Sequence, residues 1–75
     1  MITHATRFGL IGAGAIAQSY LLAFEKSNDA QLVGVTDISP EAATAMAERA
    51  HCSAFSDYLA MIEETDCEAV VLCTP

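Results

Sequence analysis

The most constrained stretch of the sequence lies between residues 7 and 17, where the hydrophobic period changes across a few small residues. Arg7-Phe8-Gly9-Leu10-Ile11-Gly12 is a short apolar run closed by glycine, the pattern of a buried strand. From Ala15 onward the period lengthens. Ile16, Ala17, Tyr20, Leu21 and Phe24 fall at i, i+1, i+4, i+5 and i+8, one face of an amphipathic helix. Between the two lies Gly12-Ala13-Gly14-Ala15-Ile16-Ala17, a match to G-x-G-x-x-G/A in the strand–turn–helix setting that gives the pattern meaning. Each small residue answers a separate demand. Gly12 permits the sharp turn, Gly14 lacks the β-carbon that would keep a pyrophosphate from the backbone, and Ala17 lets helix pack on strand. The unpaired N–H groups of Ala15 and Ile16, with the helix dipole behind them, are suited to negative phosphate.

The rest of the chain continues the alternation. Gln31–Asp37 reads as a second strand, apolar or β-branched on both faces through Leu32, Val33, Val35 and Thr36, as a parallel strand covered above and below should be. Gly34 within it marks a close approach of backbone or helix. Asn28 is the expected left-handed stop of the first helix, and Leu22, off the helical pattern, marks a surface for something else to cover. Ser39-Pro40-Glu41 combines a capping hydroxyl, a first-turn proline and a dipole-facing acid. The helix it starts runs to about Ala50, lined by Ala42, Ala43, Ala45, Met46, Ala47 and Ala50. Ser56-Asp57 starts a short helix with Leu59 and Ile62 on its inner face, and Ala69–Thr74 is the third strand. The fold class expected is α/β: the βαβαβ half of a Rossmann doubly wound parallel sheet, ending after its third strand.

A nucleotide-binding strand–turn–helix also needs an acid at the end of the second strand, about 20 residues on. Asp37 stands 20 residues after Ala17 and closes its strand. A carboxylate there can accept hydrogen bonds from both adenosine ribose hydroxyls. It would repel a 2′-phosphate, which needs a nearby Arg or Lys. Ile38, Ser39, Pro40 and Glu41 supply no cation, and Arg49 lies about two and a half helical turns further on. The expected cofactor is therefore NAD, with NADP disfavoured.

Composition narrows the alternatives. The 75 residues carry 3 basic and 10 acidic side chains, a net charge of −7, with 53% hydrophobic content. So apolar a chain, with 17% charged residues, is not disordered. So few cations exclude a phosphate-neutralising surface for nucleic acid. The whole excess charge lies between Asp37 and Glu68, because Arg7 and Lys26 balance Glu25 and Asp29 in the first 36 residues. No run reaches the ~20 apolar residues of a membrane helix. Arg7 followed by Phe8–Ala17 imitates a secretory signal, but a single cation and interrupting glycines argue against one, so a cytoplasmic location is expected.

Cys52, Cys67 and Cys73 form neither a paired disulfide framework nor a zinc knuckle, and are expected to be reduced and inert. His4 precedes the first strand, and His51 ends a helix where it is solvated or faces the dipole. Glu63-Glu64-x-Asp66-x-Glu68 is a solvated face and no metal site is expected.

Taken together, Arg7-Phe-Gly-Leu-Ile-Gly-Ala-Gly-Ala-Ile-Ala17, Leu32-Val-Gly-Val-Thr-Asp37 and Val70-Val-Leu-Cys-Thr-Pro75 resemble the Gfo/Idh/MocA oxidoreductases. The resemblance runs from Arg7 to the last residue, and the closing Thr-Pro is its most discriminating part. It implies that Thr74 and Pro75 lie beside the cofactor ribose and Ile38 against the adenine. It also implies a Glu-Lys-Pro motif after the next strand and a separate substrate domain, neither of which occurs in residues 1–75. Residues 1–75 are thus expected to be the N-terminal part of a dinucleotide-binding domain, with no catalytic residue of their own.

The implied parent is an NAD-dependent, homo-oligomeric dehydrogenase acting on a sugar, polyol or related hydroxyl-bearing substrate. Two alternatives stay open: a redox-neutral glycosidase or isomerase using NAD transiently, and a nucleotide-sensing Rossmann module without chemistry.

Overall fold

A computed structural model describes residues 5–73 of the chain. Its elements run β1 (Thr6–Ile11), α1 (Ala15–Lys26), β2 (Ala30–Thr36), α2 (Pro40–Ala50), β3 (Ser53–Phe55), α3 (Tyr58–Thr65) and β4 (Ala69–Leu72). The strands form one parallel sheet in the order β3-β2-β1-β4. The direction of winding therefore reverses beside β1, the topological switch point at which open α/β sheets bind ligands. Two expectations are corrected. The sheet has four strands, because the three residues Ser53-Ala54-Phe55 pair with β2 although too few to show a hydrophobic period. The last strand ends at Leu72, and Thr74 lies outside the described residues.

The register of β1 against β2 organises both faces of the sheet. Phe8 pairs with Leu32, but Gly9 pairs with Gly34, so Val33 is an extra residue at a bulge. Strict alternation would put Leu32 and Val35 on opposite faces. The bulge brings both into one buried cluster with Leu10, Ala17 and Leu21 of α1, and Ala43, Met46 and Ala47 of α2. Phe8 and Phe24 add a tilted ring pair with centroids 5.3 Å apart. Of the six residues expected to line α2, Ala45 is instead exposed, as is Tyr20 on α1; Leu22 is exposed as expected.

On the other face the paired glycines leave a depression, and Met61 of α3 fills it. A Cβ on Gly9 would fall 2.6 Å from Met61 Cε, and one on Gly34 would fall 2.8 Å from Met61 Cγ and 3.0 Å from the Phe55 ring. This is the close approach expected at Gly34. It also corrects the inner face of α3. Met61 is 0% exposed, whereas Leu59 is 58% and Ile62 37% exposed. The depression admits one long unbranched side chain, and that sets the rotation of the helix. Thr65 follows one turn later, its hydroxyl donating to the Met61 carbonyl at 2.6 Å.

The helix ends follow from local chemistry. Ser39 Oγ accepts from Ala42 N–H, Pro40 occupies the first turn of α2, and Asp57 caps α3 by accepting from Ala60 N–H at 2.8 Å. His51 and Asp66 close α2 and α3 in the left-handed region, with φ of 58° and 59°; His51 is exposed. Asn28 does not stop α1. The helix ends at Lys26 because Ser27 turns extended and its hydroxyl accepts from Asp29 N–H, a local bond that competes with further helix. At the same end of the sheet Arg7 pairs with Asp66 and Glu68, at 3.9 and 3.8 Å.

Gly34→Ala is expected to destabilise the chain by about 1–3 kcal/mol, since its methyl group meets Met61, Phe55 and Thr65 at once. Gly9→Ala should cost less, because its nearest obstacle is the mobile end of Met61. Met61→Ala should cost about 2–5 kcal/mol. Thermal unfolding of the three variants gives the order directly. Cys52 and Cys73, both free and packed against the core, have thiols pushed up by burial. Raised folded values mean stability that is complete below the ordinary thiol range and lost as pH climbs through them. The melting temperature should fall above about pH 8.5, and by less in a Cys52→Ala, Cys73→Ala variant.

Candidate functional site

At the carboxyl ends of β1 and β2 the strands are level, Ile11 opposite Thr36. Gly12 leaves β1 with φ of 99°, a conformation few other residues adopt, and its N–H donates to the Thr36 carbonyl at 2.8 Å. Ala13 N–H donates to Asp37 Oδ2 at 2.6 Å, and the other carboxylate oxygen, Oδ1, accepts from Ser39 N–H at 2.8 Å. The half-buried Asp37 carboxylate thus joins the β1–α1 turn to the β2–α2 turn.

Gly14 is different in kind from Gly12. It is exposed, its φ of −82° suits any residue, and a Cβ built there meets nothing within 4 Å. Among the described residues nothing requires glycine at this position. A ligand lying against the backbone would. Gly14 also starts α1 without any side-chain cap, and the first turn of α1 holds no acid. The first N–H groups of α1 belong to Ala15 and Ile16, and they carry the partial positive charge of the helix end. Ala17, fully buried, seats the helix on the sheet as its size requires.

The structure therefore brings Gly12, Gly14, the start of α1 and Asp37 to one edge of the sheet. Ile38 follows Asp37 and is fully exposed. Thr74 and Pro75 lie outside the described residues, as does His4. Two of the three cations of the described residues stand away from this site, and the third, Arg49, reaches the first turn of α1. Arg7 faces Asp66 and Glu68, Lys26 ends α1 about 16 Å along its axis from Ala15, and Arg49 donates to Gln18 Oε1 on α1. A concavity of about 670 Å³ lies at the β3–α3 side, lined by Val33, Phe55, Ser56, Ala60 and Thr65 among others, and includes none of the site residues above. Among the described residues no group of three or more His, Cys, Asp or Glu could hold a metal, and no helix is long and apolar enough to cross a membrane.

Sequence reasoning did not find Ala13 and Ser39 as partners of Asp37, because both act through backbone N–H groups. Half of it was readable: an Asp two residues before Ser is the pattern in which the carboxylate accepts from the second N–H onward. An uncapped helix start, a backbone open beside Gly14 and a fixed carboxylate with oxygens still partly exposed together fit a pyrophosphate joined to a ribose.

Comparison with known proteins agrees. Residues 6–75 match the Gfo/Idh/MocA family model, described as an oxidoreductase family with an NAD-binding Rossmann fold. The chain is 42% identical over 69 residues to an inositol 2-dehydrogenase of Rhizobium meliloti, covering 92% of this chain and 21% of that protein. A WlbA dehydrogenase from Bordetella pertussis, solved with NADH and UDP-GlcNAcA, superposes with a TM-score of 0.87 at 35% identity, over 100% of this chain and 23% of that one. The myo-inositol dehydrogenase of Lactobacillus casei, solved with NAD(H) and myo-inositol, gives a TM-score of 0.83 at 27% identity, over 93% of this chain and 22% of that one. The chain thus spans about a fifth of the length of these relatives. With its glycine turn, its acid at the end of β2 and a match over nearly all its length, the chain belongs to the Gfo/Idh/MocA family of NAD-binding Rossmann oxidoreductases.

Proposed function

We propose that this chain holds the adenosine diphosphate half of NAD within an enzyme that moves hydride to or from a hydroxyl-bearing carbon of a sugar or polyol. The observation that carries the reading is the Asp37 carboxylate. Its two oxygens offer about four acceptor positions. The Ala13 and Ser39 N–H groups take two, so two are left for the paired hydroxyls of a ribose. Gly14 and the uncapped start of α1 receive the pyrophosphate beside it, with Gly12 shaping the turn. By the family resemblance Ile38 is assigned to the adenine, and Thr74 and Pro75 to the ribose. When bound, NAD supplies the acceptor or donor of hydride. The residues of this chain bind and orient it, and those that handle the substrate lie outside residues 1–75. A sugar or polyol substrate is supported by the relatives, an inositol 2-dehydrogenase and dehydrogenases solved with UDP-GlcNAcA or myo-inositol.

The same carboxylate favours NAD over NADP. A 2′-phosphate placed at the ribose would face Asp37 while Arg49 is engaged by Gln18, and like-charge juxtaposition costs several kcal/mol. Calorimetric titration should therefore show NAD binding at least about tenfold more tightly than NADP, a difference of roughly 1.4 kcal/mol. Equal or tighter NADP binding would sink the assignment.

The two loop glycines should also separate. Gly12→Ala, strained at positive φ, should lower the melting temperature. Gly14→Val, at an ordinary φ with open space around it, should leave the melting temperature nearly unchanged while abolishing NAD binding. A Gly14→Val variant that binds NAD normally would remove the phosphate from that position.

A further inference from the structure

Asp37 is placed to do more than meet a ribose. Ala13 is buried, and the acceptor for its N–H is Asp37 Oδ2, from a residue 24 positions away in sequence. Gly12, one residue earlier, is already held by the Thr36 carbonyl. These two bonds fix the direction in which the chain enters Gly14 and hence where α1 begins. On the other side, Ser39 N–H holds Oδ1 and so sets the rotation of the carboxylate, while Ser39 Oγ caps α2.

We propose that Asp37 is a positioning residue for the phosphate-binding turn as well as a ribose acceptor, so that the hydroxyl and phosphate subsites are coupled through one carboxylate. The inference rests on the cofactor reading given under Proposed function. Asparagine cannot take over both bonds. It has one acceptor oxygen, and its amide NH2 would confront the remaining backbone N–H. Turned toward the exposed Ser39, that conflict is open to water, so alanine is the decisive change: it removes both bonds and leaves the buried Ala13 N–H unpaired, which is costly enough to displace the turn.

The coupling predicts an effect of unusual sign. Were Asp37 only a nearby negative charge, neutralising it would tighten the binding of any phosphate. Were it only a hydroxyl acceptor, its loss would not touch a ligand lacking the hydroxyls. Positioning predicts weaker binding of that same ligand.

The test titrates the chain calorimetrically, at fixed salt, with ADP and with 2′,3′-dideoxy-ADP, which lacks both ribose hydroxyls. Asp37→Ala should weaken 2′,3′-dideoxy-ADP about tenfold, the worth of one hydrogen bond to a charged acceptor. Asp57→Ala, which removes the α3 cap and so destabilises the chain elsewhere, should leave that affinity within about twofold. Unchanged or tighter dideoxy-ADP binding by Asp37→Ala, or an equal loss in Asp57→Ala, overturns the coupling and leaves the cofactor reading intact. A wild-type chain that takes up neither nucleotide overturns the cofactor reading, and the coupling falls with it.

Amide hydrogen exchange on the ligand-free wild type needs no variant, and decides the matter if Asp37→Ala does not fold. Ala13 should exchange slowly, and exchange at the rate of an unstructured peptide overturns the proposal.

Discussion

The contacts at both faces and at the working edge of this sheet depend on the register of β1 against β2, with Gly9 opposite Gly34 and Ile11 opposite Thr36. The bulge at Val33 is what makes that register useful. Without it, Leu32 and Val35 would point to opposite faces, and the cluster that holds α1 and α2 would lose one of them. With it, the two glycines coincide and leave a depression of the width of one methionine side chain. The same register then brings the two strands to their ends together. Gly12 N–H finds the Thr36 carbonyl, and Ala13 N–H finds the Asp37 carboxylate. Packing far from the turn and geometry at the turn are consequences of one alignment.

Electrostatics at that edge are arranged by what each helix start is given. α2 and α3 are supplied with their own acceptors, Ser39 and Asp57, which satisfy an early N–H and leave less of the helix end exposed to a ligand. The start of α1 has neither a capping side chain nor an acid in its first turn. Asp37 engages Ala13 instead, one residue before the helix cap. The carboxylate can therefore stabilise the turn while the first N–H groups of α1 keep their attraction for an anion. Negative charge stands beside the start of α1 but not at it.

Much of this was legible in the sequence, and the reason differs from element to element. Gly12, Ala17 and Asp37 could be read because the fold needs their residue type: a positive φ, a small side chain, a carboxylate that joins two turns. The caps at Ser39 and Asp57 could be read because a side chain makes the bond. β3 could not, since Ser53-Ala54-Phe55 is too short to carry a period and pairs only because β2 is already in place. The inner face of α3 could not either. Leu59 and Ile62 have the better apolar spacing, but the depression over Gly9 and Gly34 selects Met61, whose unbranched chain enters where a branched one would meet the sheet. The stop of α1 at Ser27 rather than Asn28 was decided by a hydroxyl bonding locally, a competition that helix patterning does not register. The Ala13–Asp37 bond was hidden for a different reason, because the donor is backbone and any residue at position 13 would supply it.

The two glycines of the turn show how far structure sharpens a motif. In the sequence they are equivalent letters of one pattern. In the fold, Gly12 has an internal reason, a φ of 99° that sends the chain out of β1 and lets its N–H reach Thr36. Gly14 has none. Its backbone is ordinary, its surroundings are open, and the chain would accommodate a side chain there without moving. A residue whose smallness serves nothing inside the protein is best explained by something outside it. The position beside Gly14 is bounded by a positive helix end on one side and a held carboxylate on the other. The order proposed for the ligand, phosphate at α1 and diol at β2, matches that arrangement of charge.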